Sequence, residues 1–254
     1  GTNSSGQTYV AWSWKAGGAP TATNSAGAGN APTSGSVIID GVASTATLAG
    51  TIPAKKISVN TGIGFSIVEF DGNGTSGATI AHGLGGDADM VIVKSTNLST
   101  QSWNTYVKDV TTTNAQYLML NSNAANGNTA NPRFIVGNFT SDVFSVGNDN
   151  STNGGSDSYV AYCFKSTTGF SKVGSYTGNG TSQTIITGFK VGYVLIKCTS
   201  SSNHWMLYDS TRGGNKYLIA DLSDLEGTAN SNLVNFYENG FGVGSSNSEN
   251  QNGE

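Results

Sequence analysis

Short runs of apolar, β-branched and aromatic residues recur every 8 to 15 residues along much of the chain, and clusters of Gly, Asn, Asp and Thr separate them. This spacing predicts short strands joined by turns, the pattern of an antiparallel sandwich or jelly roll. We therefore predict an all-β fold. In the best-defined stretch the predicted strands lie at 65–71, 78–83, 90–96, 103–109, 116–121, 134–139, 143–148 and 159–166.

Two of the apolar runs, 90–93 and 194–196, contain no polar position. Continuous apolar runs bounded by turn residues predict central strands that are buried on both faces. Helix signals are almost absent, since only residues 223–226, Ser-Asp-Leu-Glu, resemble a helix start.

The strand pattern occurs twice, once in residues 64–166 and again in residues 167–254. The distance between equivalent positions is 105 to 106 residues at the start and 97 residues near the end. Deletions of this size are accommodated in loops, so we predict two β-sandwich repeats in tandem. The shared segments are Gly64-Phe65-Ser66 with Gly169-Phe170-Ser171, Gly72-Asn73-Gly74-Thr75-Ser76 with Gly178-Asn179-Gly180-Thr181-Ser182, Val91-Ile92-Val93-Lys94 with Val194-Leu195-Ile196-Lys197, Trp103 with Trp205, Tyr106 with Tyr208, Tyr117-Leu118 with Tyr217-Leu218, and Phe144-Ser145-Val146-Gly147 with Phe241-Gly242-Val243-Gly244.

The beginning of the chain matches the end of the first repeat, because residues 9–15 share their pattern with the predicted closing strand at 159–165. The second repeat stops before its own version of that strand, and two interpretations stay open. A longer tandem protein could have been cut at equivalent loops. Alternatively, the strand could fill the vacant sheet edge of another copy and build a head-to-tail homo-oligomer. The candidate assembly strand consists of Tyr9, Val10, Ala11, Trp12, Ser13 and Trp14.

Residues 16–63 differ in composition from the repeats, because Ala, Gly, Ser, Thr, Asn and Pro dominate the first half of the segment. Such a composition predicts a linker or extended arm. The predicted organisation is thus a closing strand in 1–15, a linker with a short β-arm in 16–63, and the two repeats.

Composition and charge argue against some classes of function. Gly, Ser, Thr and Asn make up 123 of 254 residues, whereas charged residues make up only 11% and the formal net charge is −4. A chain without a basic surface is not expected to bind nucleic acid. It also has no apolar run long enough to insert in a membrane.

The repeated motifs resemble a repeat of virion proteins in tailed bacteriophages, above all in tail fibres and related appendages. The resemblance rests on Gly-Phe-Ser-Ile-Val at 64–68, Gly-Asn-Gly-Thr at 72–75, Ile-Ala-His-Gly-Leu-Gly at 80–85, Met-Val-Ile-Val-Lys at 90–94 and Tyr-Val-Ala-Tyr-Cys-Phe at 159–164. It implies a β-sandwich module used in series on the virion surface, in contact with other virion proteins and with copies of itself. It also implies a role in host attachment, with host surface glycan as a candidate ligand. The second copy departs from the pattern at 187–189, where Thr-Gly-Phe replaces His-Gly-Leu.

Candidate chemistry is sparse. The two histidines, His82 and His204, occupy non-equivalent positions without metal-ligand spacing, and the two cysteines, Cys163 and Cys198, form no Cys-x-x-Cys motif. We therefore expect no catalytic residue, no cofactor and no metal, with both cysteines buried as small apolar side chains. The carboxylates that could serve a glycosidase are Glu69 with Asp71, Asp87 with Asp89, and Asp221 with Asp224 and Glu226, and the loop at 149–157 carries oxygen ligands that suit calcium.

The segments that diverge between the copies, such as 121–133 and 210–216, are the expected contact loops if the protein binds its host. A non-enzymatic virion structural protein is the primary functional prediction. The alternative is an extracellular filament or capsid-surface decoration protein that polymerises by strand exchange through residues 8–15.

Overall fold

The computed structural model describes residues 4–244 and 249–250, and the regular structure in these residues is almost entirely β. The strands are β1 (Val37–Ile39), β2 (Val42–Ala43), β3 (Ala54–Asn60), β4 (Phe65–Asp71), β5 (Ala78–Ala81), β6 (Met90–Ser95), β7 (Asn104–Val107), β8 (Gln116–Met119), β9 (Gly127–Asn128), β10 (Val143–Val146), β11 (Ser158–Phe164), β12 (Gln183–Ile186), β13 (Tyr193–Ile196), β14 (Met206–Asp209), β15 (Lys216–Ile219), β16 (Gly227–Thr228), β17 (Val234–Tyr237) and β18 (Gly240–Val243). One helical turn, α1 (Asn150–Asn153), and a 3₁₀ turn (Val136–Asn138) interrupt them.

The first repeat is built on a nine-stranded sheet in the order β2-β1-β3-β4-β11-β6-β7-β8-β9. All neighbours in it are antiparallel except β1 and β3, which pair in parallel. Strand β11 occupies the centre, so the last strand of the repeat in sequence is paired on both edges. Strand β6 is central as well, and Val91 and Val93 are completely buried, as the apolar run at 90–93 predicts.

The segment 16–63 differs from the expected linker with a short β-arm. Strands β1 to β3 are part of the large sheet, and β3 pairs with β4 over almost its full length. Ile57 and Val59 of β3 are fully buried in the main core, although the sequence around them is rich in small and polar residues. Residues 17 and 18 are held against this strand, since Ser58 Oγ donates a hydrogen bond of 2.6 Å to the Gly18 carbonyl.

Strands β5 and β10 form a two-stranded sheet that covers the buried face of the large sheet. Phe144 of β10 packs edge-on against Phe70 of β4, with ring centroids 5.7 Å apart, so the two layers interdigitate. This arrangement is the β-sandwich that the alternating pattern predicts.

The second repeat rebuilds part of the same plan. Strands β13 to β16 form a four-stranded sheet and β12, β18 and β17 a three-stranded sheet, with Tyr208 and Phe241 in the core between them. β13, β14, β15 and β16 correspond to β6, β7, β8 and β9 by the offsets of the sequence repeat. The run 194–196 was expected to be central, but among the described residues β13 pairs only with β14 and Leu195 is half-buried.

The two repeats pack on each other through Trp205, which is 4% exposed. Its ring lies among apolar side chains of the first repeat that include Val107 and Leu118, and its indole N–H donates to the Met119 carbonyl at 2.8 Å. The backbone N–H of Asn126 adds a 2.7 Å hydrogen bond to a carbonyl of the second repeat.

Helix is almost absent from the described residues, as predicted. The helix-like stretch 223–226 forms no helix, whereas Asp149 caps α1 by accepting from the Ser151 N–H at 2.8 Å. One local strand prediction is wrong. The expected strand at 134–139 is instead a 3₁₀ turn preceded by a single bridge from Phe134 to Val146. Both segments are short and polar or Gly-containing, so side-chain capping and turn hydrogen bonds override the weak periodicity.

Candidate assembly site

Strand β11 shows what a closing strand contributes to a repeat. It pairs with β4 through seven residues and with β6 through six. Its side chains alternate, so that Tyr159, Ala161 and Cys163 are buried and the residues between them are only partly covered. Burial raises the pKa of the Cys163 thiol, which keeps this side chain a protonated, apolar filler.

Tyr159 fixes the beginning of the closing strand. Its ring stacks on Phe70 with centroids 5.3 Å apart, and its hydroxyl donates to the Asn150 carbonyl at 2.6 Å. The same hydroxyl accepts from the Gly154 N–H at 2.6 Å. Burial raises the pKa of Tyr159 to about 12, so the hydroxyl stays a donor at any ordinary pH.

The second repeat preserves the framework beside this position. In the first repeat the Asn153 amide donates to the carbonyls of Thr75 and Gly147 at 2.9 and 2.8 Å. In the second, the Asn250 amide donates to the equivalent carbonyls of Thr181 and Gly244. Residues 72–76 and 178–182 are therefore turns held by a buried asparagine, which explains why the Gly-Asn-Gly-Thr motif recurs.

The second repeat differs where β11 would lie. Residues 170–176, the counterpart of β4, form no strand, and the outer edge of β13 pairs with no strand of the described residues. Tyr176 still packs edge-on against Phe241 with centroids 6.4 Å apart, as Phe70 does against Phe144. Of the two strands that pair with β11 in the first repeat, only the counterpart of β6, which is β13, is a strand in the second repeat.

A cavity of about 580 Å³ lies beside Tyr176. Thr199 and Ser200 line one side, and Tyr176 and Thr177 line another. In the first repeat the equivalent walls are bridged by Ser158, whose carbonyl accepts from the Thr96 N–H and whose hydroxyl donates to Asp71. In the second repeat the cavity is also lined by Asp109, Val110, Gln116 and Asn126 of the first repeat, and the Asn126 N–H donates to the Thr199 carbonyl at 2.7 Å, so the cavity lies between the two repeats.

The candidate assembly strand lies where the two repeats meet, since the Trp14 ring centroid is 6.5 Å from that of Phe65 and 6.2 Å from that of Phe164 in the first repeat. Residues 9–14 belong to no strand, and most of them are exposed. The ring of Trp14 contacts Tyr193, the first residue of β13, with centroids 5.8 Å apart, and Trp12 contacts the same ring at 5.5 Å. The guanidinium of Arg212 lies 5.7 Å from the Trp12 ring, which is a cation–π distance.

The other candidate residues serve local structure. His82 is completely buried, accepts from the Leu84 N–H through Nδ1 and lies 3.4 Å from the Thr140 carbonyl through Nε2. Burial lowers the pKa of His82, so the neutral ring is favoured. His204 and the Trp205 N–H both contact the carboxylate of Asp221, at 2.8 and 2.9 Å.

Most of the other candidate carboxylates contact cations or backbone N–H groups. Asp71 lies 2.9 Å from Lys55, which lowers the pKa of Asp71. Within the described residues, no group of three or more His, Cys, Asp or Glu side chains is arranged to hold a metal ion. The other contacts are Glu69 with Lys56, Asp87 with Lys108, Asp89 with the Ser166 N–H, and Glu226 with Arg212 and Lys216.

Both cysteines are buried, as predicted. No helix in residues 4–244 and 249–250 has the length and apolar character to cross a membrane.

Comparison with known proteins gives a family. No curated protein and no solved structure matches the chain. A family model described as Domain of unknown function (DUF7483) matches residues 38–254. The match begins within β1, so it includes the strands that join residues 37–60 to the first repeat. Because that model covers most of the sequence, the chain belongs to the DUF7483 family.

Proposed function

We propose that the protein is a non-enzymatic structural module of a bacteriophage virion, part of a tail fibre or a related surface appendage that supports host attachment. The observation that carries the proposal is the serial packing of two copies of one sandwich framework, joined by the buried Trp205. A module whose neighbour docks on its outer sheet face can be repeated along an axis.

The distribution of charge supports a mechanical role. Most of the carboxylates that could pair for acid–base catalysis contact cations or backbone N–H groups, as Glu69 does with Lys56. The equivalent residues Tyr106 and Tyr208 of the two repeats are used for packing, since both are buried. We propose that the protein provides mechanical stiffness and a surface for contact with other molecules.

We propose that the loops that differ between the copies contact the host. Residues 121–133 reach the second repeat, where the Asn123 carbonyl accepts from Lys197, so part of this loop is an internal contact. Ser210 and Thr211 at the beginning of the segment 210–216 are exposed, and Arg212 beside them is paired with Asp209 and Glu226. We propose that this loop binds polar ligands such as surface glycan weakly. Several modules that bind at the same time would supply the avidity.

Electron microscopy of phage particles labelled with Fab fragments against the purified chain tests the assignment. Fabs on threads that project from the tail or capsid support it. Unlabelled virions, with Fabs only on free filaments or on soluble protein, contradict it.

Self-assembly into a filament by strand exchange is the second candidate, and the observation that favours it is the outer edge of β13, which pairs with no strand of residues 4–244 and 249–250. That candidate requires residues 8–15 of one molecule to pair with β13 of another. Sedimentation of the purified chain and of a variant that lacks residues 8–15 tests it: assembly that is lost in the variant supports strand exchange, and equal assembly contradicts it.

A further inference from the structure

We infer that two copies of this chain dock head-to-tail, with Trp103 in the first repeat of one copy packing against β15 in the second repeat of another. The docking repeats the packing that joins the two repeats inside one chain. It needs no residue of the segment 8–15, and it does not depend on the virion assignment.

The packing between the repeats joins two different surfaces. The second repeat contributes Leu195 of β13 and Trp205, and we call this the tryptophan surface. The first repeat contributes Val107, Leu118 and Leu120 on the β7–β8 side of its sheet, and we call this the receiving surface. Because the two surfaces differ, the contact is heterologous, and contacts of this kind can be continued from copy to copy.

Each repeat carries its own version of both surfaces. The sequence repeat places Trp103 at the position of Trp205, and the backbone around the two tryptophans is the same. The Trp103 carbonyl accepts from the Leu120 N–H, and the Trp205 carbonyl accepts from the Ala220 N–H, both at 3.0 Å. The first repeat therefore presents a second tryptophan surface, and the second repeat presents a second receiving surface.

This second pair of surfaces is more exposed than the pair that forms the contact inside the chain. Trp205 is 4% exposed, whereas Trp103 is 36% exposed. On the receiving side Leu118 is 2% exposed, whereas its equivalent Leu218 is only half-buried. The same positions that are covered in one pair are thus open to solvent in the other.

The second receiving surface carries additional leucines. Leu222 and Leu225, in the loop after β15, are 43% and 93% exposed. The first repeat has Ser122 and Ala125 at these positions. Exposed apolar patches on soluble proteins mark interaction sites, so the leucines suit a partner with an exposed aromatic ring.

A hydrogen bond of the internal contact can be repeated as well. The Met119 carbonyl accepts a backbone N–H of its own turn and, at 2.8 Å, the indole N–H of Trp205. Its equivalent, the Ile219 carbonyl, accepts from the Leu222 N–H at 3.3 Å. A carbonyl oxygen has two lone pairs, so the Ile219 oxygen suits the indole N–H of Trp103 from another copy.

The contact between copies should be weaker than the one inside the chain. Ala220 replaces Leu120, and Asp209 stands at the position of Val107. Asp209 is buried in an ion pair of 2.6 Å with Arg212, so it brings no unpaired charge to the surface. A contact between molecules also lacks the tether that joins the two repeats.

Sedimentation velocity over a concentration series of the purified chain tests the docking. We expect association that rises with concentration and that Trp103→Ala weakens at least roughly tenfold, because tryptophans at the centre of an interface carry much of its binding energy. Leu222→Glu should weaken it from the opposite side by placing a charge in the contact. The matched control is Val42→Glu, at an exposed apolar position on the far edge of the sheet, and it should leave association unchanged.

A mixture of the two variants tests the head-to-tail arrangement. The Trp103→Ala copy keeps its receiving surface, and the Leu222→Glu copy keeps its tryptophan surface, so one contact forms and no further copy adds. We expect dimers in the mixture at concentrations where each variant alone is monomeric.

Three results would overturn the inference. The first is a wild-type chain that stays monomeric up to roughly 0.5 mM, and the second is a mixture that stays monomeric where the wild type associates. The third is association that neither variant weakens. If deletion of residues 8–15 abolished that association, strand exchange would replace face docking as its cause.

Discussion

The indole N–H of Trp205 donates to the Met119 carbonyl at 2.8 Å, across the boundary between the two repeats. Its counterpart in the first repeat, Trp103, is 36% exposed and stacks on Tyr162. One position of the repeat thus serves as an inter-repeat anchor in the second copy and as a surface ring in the first.

Replacing Trp205 with Ala should destabilise the protein by about 3–5 kcal/mol, because a buried ring is removed and a carbonyl loses its donor. Urea unfolding monitored by circular dichroism measures the change. Trp103→Ala is the matched control and should cost less than half as much. Equal losses in the two variants would show that Trp205 does not anchor the repeats.

The buried asparagine that holds each Gly-Asn-Gly-Thr turn gives a second prediction. Asn153→Asp should lower the free energy of unfolding by at least about 2 kcal/mol, because a carboxylate cannot donate to the Thr75 and Gly147 carbonyls and would be buried beside them. Thermal unfolding is the measurement. Asn138→Asp, at an exposed position with one hydrogen bond to the Gly77 carbonyl, should change stability by no more than about 0.5 kcal/mol. A comparable loss at both sites would contradict the proposed role.

His82 should make stability depend on pH. Burial lowers its pKa in the folded protein, so the unfolded chain binds a proton more readily. Stability conferred by the neutral ring is therefore complete above the unfolded pKa, near 6.5, and is lost as the pH falls below it. Urea unfolding at pH 5.0 and 7.5 should show the loss in the wild type and a smaller one in His82→Gln.

If His82→Gln loses as much stability on acidification as the wild type does, other groups are responsible and the prediction is wrong.

A glycine facing a tyrosine across two strands provides the fourth prediction. A Cβ at Gly127 of β9 would lie 2.4 Å from the ring of Tyr117, and the same contact recurs between Gly227 and Tyr217. Gly127→Ala should therefore cost about 1–3 kcal/mol through overpacking. Gly137→Ala, where a Cβ would meet nothing within 4 Å, should be close to neutral in the same thermal unfolding assay. A neutral Gly127→Ala would mean that the Tyr117 ring moves aside freely.

The sequence predicts the strands of the first repeat well because apolar runs and turn residues alternate there. β4 coincides with the predicted 65–71, and β6 and β11 differ from prediction by one or two residues at their ends. β3 escaped prediction because Ile57 and Val59 are its main apolar residues, and its place beside β4 is set by tertiary pairing.

The candidate site was predictable only in part. Similarity between residues 9–15 and 159–165 is visible in the sequence, and it points to a strand without its partner. The cavity beside Tyr176 and the contact of Trp14 with Tyr193 depend on how the repeats pack, which no local pattern contains. The role of Trp205 is equally invisible, because the same residue type at Trp103 has a different environment.

The nine-stranded sheet ends on β2 and β9, and each of these strands has only two residues. Short terminal strands offer few backbone groups to an incoming chain. At high local density, neighbouring molecules that approach these two sides would therefore meet through side chains and loops, and we expect such lateral contacts to remain reversible. A sheet whose two edge strands are this short can lie at high density beside other copies without aggregating through edge-to-edge strand pairing.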